Sequence, residues 1–324
     1  SIIGHILSRT LALLIMGAFI TNSEARLSPE VSYRIGIYWF LMVGAFILIW
    51  NYYPPTDNPK VKRLYLLLKI AGVMILFYLA ITFRNPDGGV FAARWGILGT
   101  IGWTYLICAL IYVYARDRLK YLIPVWIVFV LICILGTRMN AAWGETPILD
   151  LPRGNFYHEM LRILHLGNGA LPAFTMGGII VSLISTKYRQ APARRQALYT
   201  LAAVAVFFLA GIISRQFWIL AKIGSTPPWL FFVTAIAIGT FAILSWLAAK
   251  GKASWFDVIK PAGTATLTCY LVPYIWYGFA DITGYVLPDW ITHGYLGIIK
   301  CLLFALIIIG LTYLLGRIHI KLKI

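Results

Sequence analysis

The sequence predicts an all-α protein, a polytopic transmembrane helical bundle with about ten membrane-spanning helices. Hydrophobic residues make up 60% of the 324 residues and charged residues 12%, and the mean hydropathy is +0.81. This composition lies outside the range of water-soluble domains of such length. Apolar runs of roughly 20 residues, long enough to cross a hydrocarbon core about 30 Å thick as helices, recur along the chain.

Ten apolar runs predict the spans in chain order. They cover residues 6–21, 34–53, 64–82, 95–114, 121–137, 163–185, 197–220, 228–249, 260–280 and 294–316. We interpret the whole of 1–324 as a single transmembrane domain with a lipid bilayer as its surroundings. The oligomeric state stays open, a homodimer included.

Basic and acidic residues alternate between successive connectors. Lys and Arg follow the even-numbered runs and fill the C-terminal tail, with Lys60, Lys62, Arg63, Arg116, Arg118, Lys120, Lys187, Arg189, Arg194, Arg195, Lys250, Lys252, Arg317, Lys321 and Lys323. The other connectors hold most of the acids: Glu24, Glu30, Asp87, Glu145, Asp150, Glu159, Asp281 and Asp289. Since Lys and Arg concentrate in cytoplasmic loops, the C-terminus is expected in the cytoplasm.

The positive-inside pattern also accounts for the net charge of +17. A nucleic-acid-binding protein would gather its basic residues on one soluble face, so no nucleic-acid partner is expected. The cysteines lie inside apolar runs without a CxxC pair or a histidine at ligand spacing, at Cys108, Cys133, Cys269 and Cys301. We therefore expect neither a metal site nor a disulfide.

Polar residues interrupt the apolar runs mainly on the predicted outer side. The interruptions are residues 83–106, 137–169 and 213–232. Outer connectors of this polarity indicate a site that opens away from the cytoplasm. Helix count alone leaves a transporter, a channel, a scaffold and a membrane enzyme open. The two halves show no convincing repeat, which disfavours a transporter without excluding it.

Five segments of the chain are informative: "HILSRTLALLIMGAFI", "RWGILGTIGWTYL", "LGNGALPAFTMGGIIVSLIS", "AKIGSTPPWLF" and "KPAGTATLTCYLVPY". They resemble segments of the membrane acyltransferases similar to heparan-alpha-glucosaminide N-acetyltransferase, especially their bacterial relatives. The first resembles the basic entry to an early helix of the family, and the third corresponds to a later helix by position. The other three resemble family motifs through Arg94, Gly96, Ile97, Leu98, Lys222, Thr226, Pro227, Trp229, Gly263, Leu267 and Tyr270.

The chain departs from the family motifs at Trp95, Gly99, Thr100, Ala221 and Ala265, which leaves the acceptor and the activity of this member open. Family members begin with a Ser-(Leu/Val)-Asp-x-x-Arg-Gly helix and an outer loop that carries the catalytic histidine. Neither stands in these residues. The resemblance therefore implies that one or two helices and the catalytic histidine precede Ser1.

The resemblance implies an integral protein of the bacterial cytoplasmic membrane that uses acetyl-coenzyme A as cosubstrate. It would pass the acetyl group to an amino sugar or glycan acceptor outside. Candidate acceptor-binding residues are Arg94, Asn140, His165, Asn168, Lys222 and Thr226. Candidates for the coenzyme phosphates are Arg9, Lys60, Lys62, Arg116 and Arg118, although positive-inside topology explains these cations equally well. Direct transfer and an acetyl-histidine intermediate both stay open.

Each candidate also has a purely structural interpretation. His165 can line a helix end or contact an acceptor, because its ordinary pKa near neutrality suits it to take a proton from an amine. Arg94 can extend to the membrane interface, and Lys222 and Thr226 can be held by helix ends. The functional alternatives are a transporter of a sugar or small polar solute, and an inactive or purely structural membrane protein.

Overall fold

The structure, a computed structural model, describes residues 1–24, 27–152 and 154–324. Over these ranges the fold is all-α. Its helices are α1 (Ile2–Glu24), α2 (Ile35–Trp50), α3 (Pro59–Thr82), α4 (Gly96–Ala115), α5 (Leu119–Gly136), α6 (Phe156–Ile163), α7 (Ala170–Lys187), α8 (Ala193–Ser214), α9 (Pro227–Ala249), α10 (Lys260–Thr264), α11 (Thr266–Thr283), α12 (Asp289–Thr292) and α13 (Gly294–Arg317). Two short 3-10 helices cover Ala141–Trp143 and Ser254–Val258.

Ten of these helices correspond to the ten predicted spans. In the described part of the chain, eight are long and apolar enough to cross a membrane, namely α1, α3, α4, α5, α7, α8, α9 and α13. The ninth run gives α11, which carries a carboxylate at Asp281, and the second run gives α2, which is apolar but shorter. The helical class of the protein is thus confirmed. Two of the ten predicted spans, α2 and α11, do not reach the length or apolarity of the other eight.

Some helix ends differ from the apolar runs. The run 163–185 begins as a turn, and α7 starts only at Ala170. Gly167 and Gly169 adopt φ of 57° and 84° there, a left-handed conformation that interrupts a helix. The run 197–220 stops at Ser214, and the run 260–280 is divided at Ala265 between α10 and α11. Hydropathy therefore locates the spans but not their ends.

Large apolar side chains cover the outside of the long helices. In α8 the buried residues are Gly211 and Ser214, and in α13 they are Gly297, Ile308 and Thr312. Leu201, Val206, Leu302 and many similar residues are more than half exposed. Continuous apolar surface of this extent is unfavourable in water and favourable in lipid. The protein is therefore an integral membrane protein.

The described residues form two compact units, each built from two separated segments. Unit 1 comprises residues 1–14 and 100–253, and unit 2 comprises residues 15–99 and 254–324. Two of the three boundaries fall inside α1 and α4, and the third precedes the 3-10 helix Ser254–Val258. Both units therefore contain parts of these two helices.

Within unit 1 the helices pack antiparallel to their neighbours. Arg9 of α1 lies over the Tyr105 ring of α4, and further along α1 Thr10 and Leu13 lie against Gly102, which precedes Tyr105. The helices α1 and α4 therefore run in opposite directions. A buried cluster between α4, α5 and α7 includes Leu122, Cys133, Met176, Cys108 and Ala173. We call the two ends of this unit the Leu119 end and the Gly136 end, after the first and last residues of α5.

Within unit 2 the C-terminal tail returns to α2. Asn51 and Leu322 form an antiparallel bridge, and the Leu322 N–H donates to the Thr268 hydroxyl. At the other end of α2, the Gly36 N–H donates to the Asp281 carboxylate at 3.0 Å. The basic tail, the end of α2 and the start of α11 therefore share one side of unit 2.

Candidate functional site

Asn168 ties together the loops at the Gly136 end of unit 1. Its Nδ2 atom lies 2.9 Å from both the Gly224 and Ser225 carbonyl oxygens, and 3.3 Å from the Thr137 hydroxyl. Its Oδ1 atom accepts from the Ala170 N–H at 3.3 Å, at the start of α7. Because the amide has two N–H groups, the two carbonyls occupy both donors. Asn168, which the sequence predicts to bind the acceptor substrate, therefore uses both of its amide donors on the protein's own backbone.

Thr226 closes the loop that carries Lys222. Its buried hydroxyl accepts from the Ala221 N–H at 3.1 Å and donates to the Ala221 carbonyl at 3.2 Å. Pro227 and Pro228 follow at the first turn of α9, where missing N–H groups cost no helical bond. The loop exposes Lys222 at its tip. Of the two predicted residues, Thr226 shapes the loop and Lys222 is accessible from solution.

Trp218 connects this loop region to the end of α5. Its indole N–H donates to the Thr137 carbonyl at 3.0 Å, and the side chain is 5% exposed. Thr137 thus joins Trp218 through its carbonyl and Asn168 through its hydroxyl. We call the set Thr137, Asn168, Trp218, Ser225 and Thr226 the Asn168 cluster.

Asn140 lies beside this cluster, on the segment that follows α5, and contacts the segment that leaves α8. Its N–H donates to the Phe217 carbonyl at 2.8 Å, and its Nδ2 donates to the Gln216 carbonyl at 3.0 Å. A carbonyl can only accept, so the remaining amide atom of Asn140 must be the oxygen. No described residue donates a hydrogen bond to this buried oxygen. Asn140 therefore keeps an unused acceptor, which buried polar groups rarely do.

An aromatic pair borders Asn140. Trp143 is 50% exposed, and its ring lies 5.1 Å from the Phe217 ring, centroid to centroid. The Trp143 indole N–H donates to the same Gln216 carbonyl as Asn140 at 3.1 Å. An apolar ring face next to an unused acceptor is the kind of surface that orients a small polar ligand.

His165 precedes the Asn168 cluster by one turn of chain. Its φ is 49°, and its ring stacks on Trp103 with centroids 4.1 Å apart and planes 18° from parallel. Burial lowers the pKa of His165, and the positive charge of Arg162 lowers it further. The imidazole is therefore neutral at pH 7, the state that accepts a hydrogen bond or a proton.

Two of the three predicted coenzyme-binding residues of unit 1, Arg116 and Arg118, lie at its Leu119 end. Arg116 and Arg118 are exposed in the connector between α4 and α5, and Arg118 precedes the first turn of α5. Arg9 is on the part of α1 that runs antiparallel to α4, with its guanidinium carbon 5.0 Å from the Tyr105 centroid. Asp117, between the two arginines, accepts from the Tyr112 hydroxyl at 2.7 Å. Arg116 and Arg118 thus share this end of the unit, whereas Arg9 is level with the middle of α4.

The other predicted residues, Arg94, Lys60 and Lys62, belong to unit 2. Arg94 is exposed just before α4, and its N–H donates to the Ala92 carbonyl at 2.8 Å. Lys60 and Lys62 are exposed in the first turn of α3, where Lys62 lies 3.8 Å from the Asp57 carboxylate. The Asn58 side chain caps this helix at the Lys60 N–H. Within unit 2 the contacts of these residues are with neighbours in the chain, in the turn before α4 and in the first turn of α3.

Sequence patterns alone missed Thr137, Trp218, Trp143 and Trp103. Their partners are distant in the chain: Trp218 and Thr137 are 81 residues apart. The weak signal available was the position of Thr137 and Trp218 at the ends of predicted spans, where amphipathic rings such as that of tryptophan are common in membrane proteins. Among the described residues, no group of three His, Cys, Asp or Glu side chains could hold a metal ion.

No family model, curated protein or solved structure matches this chain.

Proposed function

We propose that the protein is a membrane-embedded acyltransferase that moves an acetyl group from acetyl-coenzyme A to an amino sugar or related acceptor across the membrane. One observation carries the proposal. In unit 1 the predicted acceptor-binding residues gather at the Gly136 end, while Arg116 and Arg118 lie at the Leu119 end. The 18 residues of α5 separate these ends by about 27 Å.

This separation of groups suits a reaction with substrates on two sides. Guanidinium groups are the preferred partners of phosphates, and coenzyme A carries several. The charged nucleotide cannot enter lipid, whereas a neutral acetyl group can pass through a protein interior. In our proposal the Leu119 end faces the cytoplasm, in keeping with its arginines. The C-terminus faces the cytoplasm as well.

The chemistry is an aminolysis of a thioester. The acceptor amine attacks the acetyl carbonyl, a C–N bond forms, the C–S bond breaks, and the coenzyme leaves as a thiol. The amine gives up one proton in the process, and the thiolate takes one up. A neutral imidazole at His165 can take up the proton that the amine loses as it attacks.

Asn140 and Trp143 supply acceptor recognition in this proposal. The unused Asn140 Oδ1 accepts from a hydroxyl or amine of the acceptor, and the exposed Trp143 ring covers an apolar face of it. Lys222, at the tip of the loop that Thr226 closes, adds a cation for an acidic glycan.

The deciding experiment uses the protein expressed from its native reading frame and reconstituted in liposomes. Acetyl-coenzyme A labelled in its acetyl group is supplied on one side and a panel of amino sugars on the other, and label in an amide product is measured. Transfer across the bilayer is the expected result. Absence of both transfer and coenzyme binding overturns the proposal. Uptake of an unmodified sugar would then identify the transporter.

A further inference from the structure

A groove of about 390 Å³ runs along one face of α13 in unit 2. Its walls are apolar side chains of α11, α12 and α13, including Trp276, Leu303, Phe304, Ile307 and Leu311. These α13 residues recur three or four positions apart and therefore lie on one helix face. The lining contains one charged residue, Lys300.

The groove has the length of one lipid leaflet. Lys300 and Leu311 are separated by about 16 Å along the axis of α13, at about 1.5 Å per residue. The hydrocarbon core is about 30 Å thick, so one leaflet contributes about half of that. A single acyl chain that started at the interface, beside the Lys300 ammonium, would reach the bilayer centre at about the level of Phe304 and Ile307.

Lys300 lies at the depth where a headgroup meets the hydrocarbon. The 24 residues of α13 span about 36 Å, so its ends project a few ångströms beyond a core about 30 Å thick. Lys300 is about 9 Å from Gly294 along the axis, which leaves its backbone slightly inside the core. A lysine at this depth extends its ammonium towards the interface, where Trp290 is 68% exposed.

The charge of Lys300 is not balanced by the described protein. The ion pairs found among the described residues involve Asp57, Glu159 and Asp257, none of them with Lys300. A cation at the edge of hydrocarbon is costly unless an anion accompanies it. A phospholipid supplies a complement for both features of the groove: its phosphate pairs with the Lys300 cation, and its acyl chain packs against the apolar walls.

We propose that this groove binds one anionic phospholipid from the leaflet at the Gly294 end of α13. The headgroup phosphate pairs with the Lys300 ammonium, and one acyl chain lies against Leu303, Phe304 and Ile307. The site is in unit 2 and is independent of the acyltransferase proposal.

Lipid titration of the purified full-length protein, followed by native mass spectrometry, tests this site. Phosphatidylglycerol is expected to bind more tightly than phosphatidylcholine. Lys300→Leu should weaken phosphatidylglycerol binding about tenfold, which corresponds to the loss of one charge-assisted contact. The matched control is Lys69→Leu, since Lys69 also lies within a span but stands 5.5 Å from the Tyr53 ring and outside the groove.

A second variant tests the acyl-chain half of the site. Leu303→Trp fills the groove and keeps the cation, so it should reduce binding of phosphatidylglycerol although Lys300 remains. Thermal unfolding of each variant shows that it is folded. Equal affinity for the two lipids, or equal losses in Lys300→Leu and Lys69→Leu, would overturn the proposal, as would unaltered binding by Leu303→Trp.

Discussion

Asn168 donates a hydrogen bond of 2.9 Å to the Ser225 carbonyl, across 57 residues of chain. The contact joins the turn before α7 to the turn before α9, two helices whose starts carry most of the predicted acceptor residues. A single amide thus holds the Gly136 end of unit 1 in one arrangement. The contact therefore links the turn at Asn168 to the loop that exposes Lys222.

Asn168→Ala is expected to destabilise the protein by about 1–3 kcal/mol, because the Gly224 and Ser225 carbonyls lose their donor. Asn168→Asp should cost more, since a carboxylate oxygen would face the two carbonyls. Lys222→Ala is the control for stability because Lys222 is exposed. Thermal unfolding in detergent measures all three. Equal unfolding temperatures for Asn168→Ala and Lys222→Ala would contradict the assigned role.

Gly169→Ala should be strongly destabilising, whereas Gly167→Ala should be tolerated better. Both glycines have positive φ, which costs an alanine about 1 kcal/mol or more. A Cβ at Gly169 would also lie 2.5 Å from the Phe129 carbonyl oxygen, while nothing lies within 4 Å of one at Gly167. Folded yield and unfolding temperature compare the pair. A larger loss for Gly167→Ala would show that the turn is built differently.

These two glycines also show what the sequence could and could not predict. Hydropathy predicts a span over 163–185, yet the turn at Gly167 and Gly169 delays α7 to Ala170, because hydropathy does not register backbone conformation. Asn168 and Thr226 could be selected as candidates by position. Their partners could not, since the contact of Trp218 with Thr137 depends on how α5 and α8 pack rather than on local pattern.

Trp218→Phe is expected to destabilise the protein by about 1–3 kcal/mol, because the buried Thr137 carbonyl loses its indole donor. Trp143→Phe is the matched variant: it also removes an indole hydrogen bond, to the Gln216 carbonyl, but at a half-exposed position where water replaces the donor. Its effect on stability should be smaller. Unfolding temperatures that fall equally would show that Trp218 is no more shielded from water than Trp143.

Stability should fall as the pH drops below about 6.5, in part through His165. Burial lowers the pKa of His165 in the folded protein, so in this range the unfolded chain binds more protons. The loss of stability begins near the ordinary pKa of histidine and levels off below the lowered pKa of His165 in the folded protein. His165→Gln cannot titrate and should have a shallower dependence of unfolding temperature on pH between 7.5 and 5. Parallel curves for the two proteins would exclude His165 as a contributor.

Substitutions at the two ends of unit 1 should alter the KM of different substrates. Arg116→Gln combined with Arg118→Gln should raise KM for acetyl-coenzyme A several-fold, because each lost phosphate contact weakens binding. KM for the amino sugar should stay the same. Asn140→Ala should have the opposite pattern, since it removes the unused acceptor at the Gly136 end.

Steady-state rates with each substrate varied in turn measure this split. Arg194→Gln serves as a control for Arg116 and Arg118, because it removes a cation from the first turn of α8 and leaves the α4–α5 connector intact. A general loss of positive charge would raise KM for the coenzyme in the control as well. If the arginine pair and Asn140 altered the same KM, coenzyme and acceptor would share one end of the unit. Transfer across the membrane would then be rejected in favour of a reaction on one side.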